Sequence, residues 1–195
     1  SLLDNDSLYN YTVKAIQKAG ATIVVVEPPA ASLRGFLNLL ITDMRNDLPS
    51  YLSSHGSQSI SFRKIEDILS YNSENMELRA PYGQKWFESM AFDSTDAITL
   101  EELKSSLTTQ ARNYFDTPMQ EHTLDAFLSV NNLHAAYAAV AFYPCLTLPM
   151  GFRSDGSPAN ITFISKSGDE KALFEMAGAL EKLQPMRKAP ADYFF

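Results

Sequence analysis

Pairs of residues that could act as a nucleophile and its base are scarce in this sequence. Ser53 and Ser54 precede His55, which sets hydroxyl groups beside an imidazole. Residues adjacent in sequence on a polar loop seldom align for proton transfer, so a solvated loop is the preferred interpretation. Cys145 falls in an apolar run that predicts a buried strand, where a thiol is usually inert. A small hydrolase that uses one of these groups is the weakest of the alternatives left open.

Metal and phosphate sites are not indicated either. The three histidines, His55, His122 and His134, share no metal-ligand spacing, and no two of the 8 glycines are adjacent. The sequence therefore predicts no metal and no cofactor. His134 lies between a predicted strand end and a predicted helix start, a position where open α/β folds bind ligands. A plain loop histidine is the alternative, and the residues alone favour it.

Charge and composition exclude some functions. The chain has 16 Lys+Arg against 23 Asp+Glu, a net charge of −7, and this negative charge disfavours binding to phosphate backbones. No apolar run approaches the length of a membrane-spanning helix. A single cysteine forms no internal disulfide, which leaves the compartment open. We expect a soluble protein, cytoplasmic or exported. Because the chain starts at Ser1 and not at Met, we expect it to derive from a longer polypeptide.

The elements that would position any site begin with a helix and a strand. Tyr9, Val13 and Ile16 share one helical face, Asp4 or Asp6 can cap its start, and Gly20 suits its end. Residues 22–26, Thr-Ile-Val-Val-Val, then form a β-branched run without polar alternation. Such a run predicts a strand covered on both faces, as in a parallel α/β sheet.

The rest of the sequence predicts a helical middle segment, followed by a segment of mixed strands and helices. The middle segment, about 33–118, carries helical stripes, the first of them broken near Pro49. The last third predicts three strands and two helices: strands at 124–130, 145–148 and 161–164, and helices at 135–142 and after Asp169. We therefore expect one α/β domain over 1–195, with a sheet flanked by helices.

Residues 138–152, Ala-Ala-Val-Ala-Phe-Tyr-Pro-Cys-Leu-Thr-Leu-Pro-Met-Gly-Phe, resemble the C-terminal block of amidase signature enzymes. In that family a small-residue helix leads through a Gly-Tyr-Pro or Gly-Leu-Pro turn into a strand of the type Ala-Ile-Thr-Val-Pro-x-Gly. Residues 155–164 resemble the strand that follows. Residues 46–52, 68–72 and 80–88 are similar, in order, to three upstream family segments, so the resemblance covers nearly the whole chain.

The resemblance implies the C-terminal part of the amidase signature fold, a mixed β-sheet flanked by helices. Family members hydrolyse amides with a serine nucleophile, a second serine in a cis peptide and a lysine base, beside a glycine-rich oxyanion loop. Those elements lie in the N-terminal half, before the matched region. The resemblance therefore implies no catalytic residue in this chain, and the missing N-terminal half of the same polypeptide as its partner.

The resemblance implies that this chain forms one wall of the pocket that binds a small-molecule amide. The family's loop before the small-residue helix faces the substrate, and the candidate pocket residues are Asn131, Asn132, His134 and Phe142. Asn132 falls where glutamine-specific members carry an acidic residue, which argues against glutamine specificity. Phe142 replaces the usual glycine. A stand-alone, non-catalytic domain that binds a ligand or partner is the alternative function. If the chain is instead a fragment cut from its parent, we expect it to expose apolar surface and to self-associate.

Overall fold

The computed structural model describes residues 6–188, and the chain divides into two compact units. The first comprises Ser1–Leu33 and Leu107–Phe195, and the second comprises Arg34–Ser106. The predicted α/β class is confirmed, with a small antiparallel sheet flanked by helices. A single domain over 1–195 stays a prediction.

A three-stranded sheet forms the centre of the first unit. Its strands are β1 (Phe127–Val130), β2 (Cys145–Phe152) and β3 (Pro158–Ile164), in the order β1-β3-β2. Both strand pairs are antiparallel. The three strands predicted from the last third of the sequence are thus confirmed, although β1 begins later and β2 and β3 run longer than expected. The hairpin between β2 and β3 turns at Gly156, whose φ of 83° favours glycine.

One face of this sheet packs against two helices, α1 (Ser7–Lys18) and α8 (Glu170–Leu183). Alternate strand residues point to this face, and every third or fourth helical residue meets them. The buried residues of this core are Val130, Leu148, Met150, Ala159, Ile161, Phe163, Leu173, Ala177 and Leu180. This packing fixes β1, and with it the start of the loop that carries His134.

Helix α1 begins as the sequence predicts. Asp6 is its N-cap, and its Oδ1 accepts hydrogen bonds from the backbone N–H groups of Leu8 and Tyr9, each at 3.1 Å. Arg153 also donates to Asp6 Oδ2 at 2.6 Å, and this contact is the largest cause of the lowered pKa of the carboxyl. The cap therefore ties the start of α1 to the β2–β3 hairpin.

The strand predicted at residues 22–26 is absent. These residues have no regular secondary structure, and the Val25 side chain is 91% exposed. A β-branched run becomes a strand only when another strand accepts its backbone hydrogen bonds, and none of the described strands lies beside it. The prediction is therefore wrong for this chain.

The second unit is helical. Its helices are α2 (Phe36–His55), α3 (Ile65–Ser73), α4 (Met76–Arg79), α5 (Lys85–Phe92) and the first part of α6 (Ala97–His122). The predicted break near Pro49 is wrong, because α2 continues through the proline to His55. A proline inside a helix removes one backbone hydrogen bond, and the remaining turns can still hold the helix together.

The Ser53–Ser54–His55 sequence therefore lies on a helix and not on a loop. The Ser54 hydroxyl donates to the carbonyl of Ser50 at 2.8 Å, and the His55 ring stacks on Tyr51 with centroids 5.1 Å apart. Both side chains are engaged with the preceding helical turn. A nucleophile and its base are not assembled here.

Residues 6–188 contain neither a membrane-spanning helix nor a cluster of metal ligands. None of the described helices combines the length and the apolar character needed to cross a membrane. No group of three or more His, Cys, Asp or Glu side chains within the same residues could hold a metal ion.

Candidate functional site

The loop after β1 is held in one shape by hydrogen bonds to β3. Asn131 adopts a left-handed conformation with φ of 49°, which asparagine tolerates better than most residues. Its N–H donates to the carbonyl of Asn160 at 2.8 Å, and its Oδ1 accepts from the N–H of Asn160 at 2.9 Å. The Thr162 hydroxyl donates to the Asn131 carbonyl at 2.6 Å. The turn is therefore a rigid continuation of the sheet.

This turn sets His134 at the start of α7 (Ala135–Ala141), where it is the N-cap residue. Its side chain makes no capping bond and instead points back to β1. His134 Nδ1 lies 2.7 Å from Ser129 Oγ, and the two atoms share a hydrogen bond. Ser129 is only 1% exposed, so this bond fixes the imidazole ring from beneath. None of the hydrogen bonds recorded among the described residues uses Nε2.

Aromatic rings surround the imidazole. Tyr114 of α6 and Tyr137 of α7 stack with centroids 4.9 Å apart and planes tilted by 24°. The His134 ring lies 5.9 Å from Tyr114 and 6.4 Å from Tyr137, and Phe127 of β1 lies 6.5 Å from Tyr114. Burial raises the pKa of Tyr114, so its phenol stays protonated. We call His134, Tyr114 and Tyr137 the aromatic ledge.

The electrostatics of the ledge favour neutral ligands. Burial lowers the pKa of His134 below its ordinary value of 6.5, so the ring is uncharged at neutral pH. A neutral imidazole offers one donor and one acceptor, and Ser129 uses the Nδ1 side. Nε2 is thus the group with which the ledge could bind a ligand's amide.

The remaining candidates occupy different positions. Asn132 is exposed, and its carbonyl accepts from the N–H of Ala135 at 3.0 Å, which closes the turn before α7. Phe142 lies at the other end of α7, as its C-cap residue. The structure therefore groups Asn131, Asn132 and His134 in one turn and separates Phe142 from them by the length of the helix.

The C-terminal end of α7 is fixed by a second set of polar contacts. Arg112 Nε donates to the carbonyl of Ala141 at 3.2 Å, and the Tyr143 hydroxyl donates to Asp116. Lys166 Nζ lies 3.6 Å from the same carboxylate. Burial and the bond to Asp116 raise the pKa of Tyr143, so the phenol is not a base at neutral pH. These groups anchor the helix.

Ser129 and Cys145 are both poor nucleophiles. Ser129 has a histidine partner, but at 1% exposure its oxygen is out of reach of a substrate carbonyl. Cys145 is exposed, contrary to the buried position predicted, and partial burial of its thiol raises its pKa. A raised pKa disfavours the thiolate, which is the reactive form.

Sequence reasoning missed Ser129, Tyr114 and Tyr137. Strand alternation places Ser129 on the same side of β1 as Phe127, which was a usable signal. The pairing of Ser129 with His134 depends on the left-handed turn at Asn131, which a pattern of residue types does not reveal.

The fold is that of amidases. The chain is 24% identical over 202 residues to a probable amidase of Arabidopsis thaliana, which covers 97% of the chain. It aligns with an amidase family protein from Bacillus anthracis at a TM-score of 0.85 and 24% identity, over 96% of its length. The native peptide amidase from Stenotrophomonas maltophilia gives a TM-score of 0.79 and 24% identity, over 94%.

The chain spans only part of these proteins: 38% of the plant protein, 38% of the Bacillus chain and 40% of the Stenotrophomonas chain. No family model matches the chain. These similarities agree with the resemblance of the sequence to the C-terminal portion of amidase signature enzymes.

Proposed function

We propose that this chain is the part of an amidase that supplies scaffold and one wall of the substrate pocket, while the groups that cleave the amide bond belong to the rest of the polypeptide. The observation that carries the proposal is the mismatch in coverage. Amidases cover 96–97% of this chain, yet the chain spans 38% of their length. The missing part of the same polypeptide is its partner.

The chemistry of the described residues agrees with a non-catalytic role. Cleavage of an amide by a serine needs an accessible hydroxyl, a base that removes its proton and N–H donors that stabilise the oxyanion. The hydroxyl of Ser129 has an imidazole partner but no access for a substrate. The hydroxyl of Ser54 is bonded to a backbone carbonyl.

The aromatic ledge suits recognition of an uncharged carboxamide. An amide group is neutral and carries both a donor and an acceptor, which matches a neutral imidazole with Nε2 available. The exposed neighbour Asn132 also carries no charge, so this turn provides no carboxylate partner for a substrate ammonium group. The two tyrosine rings supply apolar surface for the part of the substrate beside the amide.

Separated from its partner, the chain should self-associate. Several large apolar side chains are exposed within the first unit, among them Val25, Phe142, Phe152 and Phe174. Exposed apolar surface of this kind favours association in water. Light scattering should give an apparent mass that rises with concentration, and a constant monomer mass would contradict the expectation.

The test of the pocket wall uses the longer polypeptide encoded by the gene, assayed for ammonia release from carboxamides. His134→Ala should raise KM by about fivefold and leave kcat nearly unchanged, because one hydrogen bond to bound substrate is worth about 1 kcal/mol. His122→Ala, which removes an exposed histidine at the end of α6, is the matched control and should change neither parameter. A KM unaffected by His134→Ala would overturn the assignment.

A further inference from the structure

The hydroxyl group of Ser129 is sealed inside the first unit. The residue is 1% exposed and pairs across the sheet with Thr162 of β3. Thr162 donates its own hydroxyl proton to the carbonyl of Asn131 at 2.6 Å. Among residues 6–188, the side-chain bond recorded for Ser129 is the one to His134 Nδ1, 2.7 Å away. The direction of this bond therefore decides whether the buried hydroxyl proton of Ser129 has an acceptor.

The bond runs from the serine to the histidine. If Nδ1 of His134 were the donor, the hydroxyl proton of Ser129 would be buried without an acceptor, which is costly because bulk water does not reach it. If Ser129 is the donor, its proton and the Nδ1 lone pair satisfy each other. The separation of 2.7 Å also matches a hydroxyl donor, since N–H···O bonds are usually about 2.9–3.0 Å long.

This direction fixes which ring nitrogen of His134 carries the proton. Burial lowers the pKa of His134, so the imidazole is neutral at neutral pH and holds one proton. Because Nδ1 accepts the bond from Ser129, that proton is on Nε2. The imidazole therefore presents an N–H donor to a ligand on the aromatic ledge.

We infer that Ser129 is a positioning residue that fixes His134 as the Nε2–H tautomer, so that the aromatic ledge binds a carbonyl oxygen of its ligand and not an amino or amidine group. The inference rests on the proposed function, because it names the atom of the carboxamide that the ledge contacts. A carbonyl oxygen accepts the Nε2–H bond. An amidine in its protonated form presents only N–H groups, and two donors cannot bond each other.

Nitrogen NMR of the 195-residue chain, labelled at histidine, tests the tautomer without any ligand. Long-range proton–nitrogen spectra distinguish protonated from unprotonated ring nitrogens, and His134→Gln identifies the signals by their loss. At about pH 8, where a histidine is neutral, more than about 90% of His134 should be protonated at Nε2. Ser129→Ala should raise the share protonated at Nδ1 by at least about threefold. A parent protein protonated mainly at Nδ1, or an unchanged share in Ser129→Ala, would overturn the inference.

Kinetics of the longer polypeptide encoded by the gene test the positioning role. Ser129→Ala should raise KM for carboxamides by about threefold and leave kcat nearly unchanged, because the imidazole remains but is no longer held at Nδ1. Ser165→Ala is the matched control. It removes a hydroxyl that is equally buried, at 0% exposure, but has no hydrogen-bond partner among residues 6–188, so KM should not change. A KM unaffected by Ser129→Ala would refute the positioning role.

Competitive inhibitors test which atom the ledge binds. Acetophenone carries a carbonyl oxygen beside an aromatic ring and has no amide bond to cleave, whereas benzamidine has N–H groups in place of the oxygen. Acetophenone should inhibit the longer polypeptide more strongly than benzamidine, and His134→Ala should reduce the ratio of the two inhibition constants by about fivefold. Inhibition by acetophenone that is absent, or a ratio that His134→Ala leaves unchanged, would overturn the assignment of the carbonyl oxygen.

The same experiments separate this inference from the proposed function. A longer polypeptide that hydrolyses carboxamides while His134 is protonated at Nδ1 retains the proposed function and refutes the role of Ser129. A longer polypeptide that hydrolyses no carboxamide, although Ser129 holds His134 as the Nε2–H tautomer, refutes the proposed function and retains the positioning of the imidazole.

Discussion

Phe142 should be replaceable by glycine at little cost to stability. The residue caps the end of α7 with φ of 60° and ψ of 40°, in the left-handed region. A side chain in this conformation costs about 1–2 kcal/mol, which glycine does not incur. The helix end requires this conformation, because the backbone N–H of Phe142 turns back to bond the carbonyl of Ala139 at 3.1 Å.

Two losses of stability offset this relief of backbone strain in Phe142→Gly. The Phe142 ring is 68% exposed, so removing its buried part costs about 0.5–1 kcal/mol. The greater freedom of glycine in the unfolded chain costs about 0.5–1 kcal/mol more. The three terms nearly cancel. The free energy of unfolding of Phe142→Gly should therefore lie within about 0.5 kcal/mol of that of the parent protein.

Phe174 provides a matched control, because its ring is also 68% exposed but it lies inside α8. Phe174→Gly has the same two costs and no relief of backbone strain. Its free energy of unfolding should therefore fall by about 1–2 kcal/mol. Urea unfolding followed by far-ultraviolet circular dichroism measures both variants. Equal losses in the two variants would refute the idea that the left-handed turn at Phe142 stores strain.

Two further predictions concern pH and capping. Burial holds the pKa of His134 below 6.5, so the unfolded chain gains a proton before the folded protein does. The neutral His134 therefore contributes to the free energy of unfolding, and this contribution is complete above about pH 6.5. It is lost as the pH falls toward the pKa of His134 in the folded protein, by up to about 1.4 kcal/mol per pH unit. Urea unfolding between pH 5 and 7 measures how the free energy of unfolding depends on pH. This dependence should be weaker in His134→Gln and unchanged in His122→Gln. Equal slopes against pH in the two variants would contradict the prediction. Asp6→Ala removes the cap of α1 and should lower the free energy of unfolding by about 1–2 kcal/mol. Asp169→Ala should lower it by less than about 0.5 kcal/mol, because the Asp169 side chain makes no capping bond to α8. Similar losses for the two would show that the Asp6 cap contributes little.

Local signals in the sequence predicted the elements that depend on local interactions. The apolar stripe on α1 and its cap at Asp6 were both visible, because each depends on residues within a few positions of one another. The same holds for the strands of the hairpin, whose pairing is closed by a short turn.

Predictions failed where a distant partner decides the outcome. Residues 22–26 have the composition of a strand and remain unpaired, because strand formation depends on a neighbour that the described chain does not supply. Helix α2 continues through Pro49, since one missing hydrogen bond is less costly than ending a long helix.

The place of His134 in the fold was predicted from the sequence, but the contacts of its side chain were not. The location of His134 after a strand end was read correctly. Its bond to Ser129 and its contacts with Tyr114 and Tyr137 bring together residues from β1, α6 and α7. Such contacts follow from the packing of three elements, which residue spacing alone does not determine.

Ammonia release from simple carboxamides by the purified 195-residue chain tests most directly whether the chain lacks the catalytic groups. We predict no turnover above the rate in buffer and no serine labelled by a fluorophosphonate probe. Turnover that is abolished by Ser129→Ala, or by changing any other single side chain of this protein, would contradict that claim.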